Sequence, residues 1–212
     1  MRNKRIKKPV LIGLLTVAIL LIAGGLFFHF NSRDANEDRV ITKIPVYGYI
    51  LTSNKTDLYA KYFHELYDIL TADEVDYEAY AKKIAQLFIA DFFDLNSKRS
   101  NEDIGGTPYI FPEARDNFKL KARHTIYNGI ENKLVNPNRD QTLPIVTAVN
   151  VENVEEAEFI FEDEPRPAFL VKLTWEYESD LGYQDEVTMF IVQEGIRLYI
   201  IEMVNENDLV ID

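Results

Sequence analysis

Cysteine is absent from all 212 residues. Its absence excludes disulfides, thiolate nucleophiles, thiolate zinc sites and a lipid attached through a lipobox cysteine. The fold must therefore rest on packing alone. Histidine is nearly as scarce: His29, His64 and His124 are the only three, and none has a second histidine at helical spacing. His64-Glu65 continues as Leu-Tyr-Asp, so the HExxH zinc motif is missing. GxSxG, Walker and GxGxxG signatures are missing too. Gly105-Gly106 follows an acidic loop rather than a strand and reads as a turn with positive φ. Asp94-Leu-Asn96-Ser-Lys98 opens like a calcium loop, but a lysine stands at its third ligand position and no glycine at its sixth. No cofactor and no metal are expected.

Basic residues are few and badly distributed. Of 23 lysines and arginines, five (Arg2, Lys4, Arg5, Lys7, Lys8) fall in the first 30 residues, which hold no acid. The rest of the chain carries 18 basic and 35 acidic side chains, a net of −17. Such a domain repels phosphate backbones, and no basic patch interleaved with aromatics is visible along the chain, so nucleic acid is not an expected partner.

What the chain does have is hydrophobic bulk: 47% of residues are apolar, with 13 Phe and 12 Tyr, enough for a folded domain with an aromatic core. One stretch, Val10 to Phe30, runs 21 residues without a charge and matches the ~30 Å of a bilayer core. The five cations before it place the N-terminus in the cytoplasm by the positive-inside rule. The expected organisation is a basic tail at 1-9, a transmembrane helix at 10-30, a polar linker at 31-43 and an extracytoplasmic domain at 44-212. The lipid bilayer is then the first partner. Cleavage after Ala23-Gly24-Gly25, as in a secretory signal, is the rival reading of the same segment.

Within the domain, Ile44 to Leu51 alternates weakly and reads as a short strand. Leu58, Tyr59, Tyr62, Phe63, Leu66, Ile69 and Leu70 recur at threes and fours, predicting a helix over 57–70 with Thr56 as N-cap. A second helix is predicted over 77–93 behind Asp76, its end apolar nearly all round. A third is predicted over 112–134, stopped by Asn136-Pro137. The period then changes to two. Strands are expected at 144–151, 156–161, 168–178, 183–193 and 196–204, with Phe169, Val171, Leu173, Trp175 and Tyr177 forming a core-facing row and Glu194-Gly195 a hairpin turn. Helices first and an antiparallel sheet of four to five strands afterwards make an α+β domain.

That order resembles the cone-shaped fold of the nuclear-transport-factor-2-like superfamily. Its membrane-anchored members include scaffold subunits of conjugation and type IV secretion machines. The letters LFIADFFDLNSKRSNEDIGG, Leu87 to Gly106, resemble a stretch found in single-pass proteins of low-GC Gram-positive bacteria. Together the two likenesses imply a bacterial cell-membrane protein working with other envelope proteins, and no catalytic residue comes with either.

Asp91 is the candidate for chemistry, because a carboxylate inside the apolar end of a helix would have a raised pKa and act as a general base. Against this stands a structural role, in a cap or an ion pair. Asp94, Asp103 and Tyr80 are candidate pocket residues, and Glu155 and Glu156 lie in a run of seven acids between Glu152 and Glu164, a candidate docking edge for a basic partner. The expected function is a non-catalytic interaction module at the outer face of a membrane, with small-ligand binding as the alternative and an enzyme as the third reading.

Topology gives the first test. Protease added to intact protoplasts should digest the domain and spare Met1 to Lys8, and neutralising the five tail cations should let some chains insert inverted. A domain wholly protected from external protease refutes the orientation; one found free in the medium shows a cleaved signal.

Overall fold

The computed structural model describes residues 40–161 and 163–204. The tail, the segment 10–30 and the linker up to residue 39 lie outside the described residues. Among the described residues no helix is long and apolar enough to cross a membrane.

The first element among the described residues is a hairpin rather than a single strand. β1 (Val40–Lys43) pairs antiparallel with β2 (Ile50–Thr52), so the end of the expected linker belongs to the domain. The chain reverses at 44–49 because Pro45 lacks an N–H and both Val46 (φ 67°) and Gly48 (φ 73°) take the left-handed conformation. Ile44 donates to the Tyr49 carbonyl at 2.9 Å, and both side chains are buried.

α1 (Asp57–Leu70) and α2 (Tyr77–Phe92) match the periodicity closely. Thr56 Oγ1 accepts from Tyr59 N at 3.2 Å and Asp76 Oδ1 from Ala79 N at 2.9 Å, each satisfying an orphan donor of the first turn. α1 buries one face (Tyr59, Tyr62, Phe63, Leu66, Leu70), whereas α2 is buried on nearly every side from Tyr80 onward because α1 covers one flank and the sheet the other.

The third helix is much shorter than predicted. A 3₁₀ turn, Pro112–Ala114, runs into α3 (Arg115–His124), and the chain leaves the helix at Thr125 (φ −120°, ψ −103°). Tyr127 is the cause. Its side chain turns into the core, donating to the Phe92 carbonyl at 2.7 Å and accepting from Gly105 N at 3.1 Å. That buried network outweighs weak helical periodicity in a stretch where Gly129 takes φ 95°.

The sheet is an open antiparallel meander in the order β3-β4-β5-β6. β3 (Val146–Phe161) joins the two strands expected at 144–151 and 156–161; the interval between them is absorbed as a bulge at Glu152, where Val151 pairs with Leu173 and Asn153 with Lys172. β4 (Glu164–Tyr177) begins earlier than predicted. Pro165 and Pro167 are tolerated there because β5 (Glu186–Glu194) begins to pair only at Ala168, so their missing N–H groups break no ladder. β6 (Arg197–Val204) follows a turn containing Gly195 at φ 59°.

Val149, Val171, Leu173, Trp175, Met189, Ile191 and Ile200 form the face packed on α2, with the Trp175 and Phe93 rings 4.5 Å apart. Phe169 and Tyr177, expected in the same row, are half-buried at its ends. Opposite this face, Phe111, Ala168, Val192 and Tyr199 make a small second core. Phe111 reaches it because Phe111 N donates to the Ile200 carbonyl at 2.9 Å, which also covers part of the outer edge of β6.

The tightest approach is at Gly105, where an added Cβ would overlap the Asp91 carbonyl, and at Gly106 (φ 69°), where it would lie 2.5 Å from the Phe88 ring. Gly105→Ala should therefore cost ~2–4 kcal/mol in urea unfolding. Gly182→Ala, also at positive φ but in open space, should cost only about 1–2 kcal/mol. Equal losses at both positions would refute this packing.

Candidate functional site

Helix α2 carries Asp91 on its last full turn, where no face meets water, and the residue is 3% exposed. An unpaired carboxylate there would be costly. Instead Asp91 Oδ1 accepts from Lys55 Nζ and from Lys98 Nζ, each at 2.7 Å, while Oδ2 accepts from Lys55 Nζ at 2.8 Å and from Gly106 N at 2.9 Å. Burial by itself pushes the Asp91 carboxyl up, but the Lys98 and Lys55 ammonium groups outweigh it and hold the pKa well below the usual carboxylate range. The raised pKa expected of a general base is thus corrected: the carboxylate stays charged and its acceptor positions are spent on Lys55, Lys98 and Gly106, from two chain segments.

The neighbouring acids are spent in the same way. Asp94, 2% exposed, accepts from Ser97 N at 3.0 Å and from Val146 N at 3.2 Å, tying the end of α2 to the start of β3. Asp103 accepts from Arg99 N at 3.0 Å, with Arg99 Nε 3.5 Å away. Lys98, read from sequence as the residue spoiling a calcium loop, is the cation that neutralises Asp91. Asp91, Asp94 and Asp103 all lie around the loop 93–106, and burial together with the charge of Asp91 raises the Tyr127 hydroxyl pKa far above its ordinary value. No group of three or more His, Asp or Glu gathers for a metal among the described residues.

Tyr80 belongs to a second network. Its hydroxyl lies 2.7 Å from that of Tyr49 and accepts from Leu198 N at 3.2 Å, and the Tyr59 and Tyr109 hydroxyls pair at 2.5 Å. The first set joins the β1–β2 turn, α2 and β6, and the Tyr59–Tyr109 pair joins α1 to the 3₁₀ segment Thr107–Tyr109. Burial pushes all four hydroxyls upward, so they are neutral donors and acceptors rather than acids at physiological pH.

Glu155 and Glu156 stand apart from both networks, exposed on β3. Glu156 lines a surface groove of about 670 Å³ with Tyr77, Glu158, Pro167, Phe169 and Gln193. On its outer side β3 has no strand partner among the described residues. A further cleft, lined by Tyr49, Arg115, Lys119 and Arg197, was not expected from sequence, because its cations are scattered over 82 positions and share no periodic pattern.

No protein-family model, no curated protein and no solved structure matches this chain.

The Lys55–Asp91–Lys98 centre makes a signed prediction. Because the folded-state pKa of Asp91 is depressed, its stabilisation is fully present above the ordinary aspartate range and is lost as pH falls below that range through the folded value. Asp91→Asn should cost ~3–5 kcal/mol at pH 7, since it leaves two cations facing a neutral amide, and should flatten the acid limb of stability against pH. Asp91→Asn with Lys98→Met should recover part of the loss. A single variant unfolding within 1 kcal/mol of the parent at pH 7, by urea titration, would sink the assignment.

Proposed function

We propose that this chain is a non-catalytic interaction module, held at the outer face of a bacterial cell membrane by the segment 10–30 and serving an envelope or secretion assembly. The observation that carries the reading is strand β3: sixteen residues long, without a strand partner on its outer side among the described residues, held at Val146 by Asp94 and at Val149 by the helix side chains Tyr62 and Gln86, and bearing exposed Glu152, Glu155, Glu156 and Glu158 beyond them. The bulges near Thr147 and Glu152 interrupt the regular row of edge donors and acceptors, which disfavours simple strand addition. Docking through side-chain charge to a basic surface is the mode that this edge supports.

Two further points favour the same reading. Asp91, the one candidate base, is engaged by Lys55, Lys98 and Gly106, which leaves the enzymatic reading without its residue. The order of three helices and then a meander agrees with a nuclear-transport-factor-2-like cone, a frame used for scaffolding in the membrane-anchored relatives named above.

The test uses the full chain in its native membrane. A photo-crosslinking residue at Glu156 should trap one stoichiometric partner, and Glu155→Lys, Glu156→Lys and Glu158→Lys together should abolish the adduct while leaving the melting temperature within about 2 °C. Raising salt should weaken the association, as expected for an exposed charged interface. A chain that runs alone as a monomer with no adduct, from membranes in which it is functional, argues decisively against the module.

A further inference from the structure

Three cations converge on one cleft of an otherwise acidic domain. The cleft, about 360 Å³, lies among the β1–β2 turn, the 3₁₀ segment Thr107–Tyr109, the start of α3 and the start of β6, and its lining includes Tyr49, Ile50, Pro108, Arg115, Lys119 and Arg197. The Arg197 guanidinium sits 4.2 Å from the Tyr49 ring centroid and 4.9 Å from that of Tyr199; the Arg115 guanidinium sits 5.5 Å from the same Tyr199 ring. These rings fix the planes of both forks.

The hydrogen bonding is unbalanced. Arg197 Nη2 and Arg115 Nη2 both donate to the Pro108 carbonyl, at 3.2 and 3.5 Å, and Arg115 Nε donates to the Ile110 carbonyl at 3.0 Å. Among the described residues neither guanidinium has a carboxylate at ion-pair distance, and Arg197 Nε is shut off from solvent without an acceptor. Among the described residues Lys119 has one ion-pair partner, Asp116, at 3.5 Å and fully exposed. Two cations sharing one neutral carbonyl repel each other, and among the described residues no acid pairs with either of them. An anion entering the cleft would relieve that repulsion.

We propose that this cleft binds a phosphoryl group carried on a small organic body. Guanidinium forks match phosphate oxygens bidentately, and three positive charges suit a dianionic phosphoryl better than a singly charged carboxylate. Exposed Ile50 and Pro108 in the lining provide apolar surface for the attached group, and the volume falls in the range of small-molecule sites, roughly 300–1,000 Å³. The site stands on the domain's own residues and does not depend on the acidic edge of β3.

Isothermal titration of the full chain in non-ionic detergent tests it. Phenyl phosphate should bind at least tenfold more tightly than benzoate or benzyl alcohol. Arg115→Gln and Arg197→Gln should each weaken it tenfold or more, and Lys119→Gln, which removes an ion pair with exposed Asp116, should weaken it severalfold without moving the melting temperature. Inorganic phosphate binding as tightly as phenyl phosphate would support the site with free phosphate as its ligand; dioctanoyl phosphatidic acid binding more tightly than both would support it with a lipid headgroup. Phenyl phosphate binding no better than benzoate, or unchanged by Lys119→Gln and by whichever arginine variants fold, overturns the proposal.

Discussion

The Asp91 carboxylate holds together parts of the chain that no covalent bond joins. Lys55 comes from the segment before α1, Lys98 and Gly106 from the loop after α2, and Asp91 itself from the most deeply buried helix. Buried ion pairs are poor sources of net stability, since desolvation consumes most of the attraction. Their value here is geometric: a buried charge admits few arrangements, so it fixes where the loop 93–106 crosses the end of α2. Gly105 then has to be glycine because the crossing brings its backbone against the Asp91 carbonyl, and Gly106 because it takes a left-handed φ against the Phe88 ring. Tyr127 closes the same crossing from the other side, and that closure ends α3 early.

A second set of constraints runs through α2 to the sheet. Gln86 Nε2 donates to the Val149 carbonyl at 2.9 Å, and Val149 N donates to the Tyr62 hydroxyl at 3.2 Å, so both long helices bond to one residue of β3. Lys83, 8% exposed, is made tolerable there by Gln86 at 2.7 Å, by Glu65 and by the Tyr62 ring face. The polar groups of the core are thus used to set the position of helices on sheet, while the aromatic rings fill the volume between them.

Local signals were legible wherever one element decided its own fate. Helices α1 and α2 and their caps could be read from spacing, and so could the alternation of β4, because each buries a face along its full length. Two of the readings that failed were decided by distant partners: Tyr127 ends α3 for the sake of Phe92 and Gly105, and the bulge at Glu152, set in the pairing with β4, fuses two expected strands. The third was local: Pro45 with the left-handed Val46 turns an expected strand into a hairpin. Asp91 was found from sequence because an acid in an apolar run is conspicuous. Its lysines were not, since each stands in an ordinary polar loop. Arg115, at the start of α3, and Arg197, at the start of β6, were invisible because 82 positions separate them: a basic patch is missing from the chain and present on the folded surface.

Every pairing in the four-stranded sheet joins neighbours in sequence, so a chain delivered from its N-terminus meets each new strand with the preceding one already present. Strand β6 arrives last. It brings Leu198, whose amide meets Tyr80, and Arg197, whose guanidinium meets Tyr49, 148 positions upstream. The arginine cleft is therefore assembled by the final strand out of pieces made first, and a chain cut short before Arg197 would retain both long helices and most of the meander while lacking a wall of that cleft. Occupancy of the cleft would report that the whole domain has been completed.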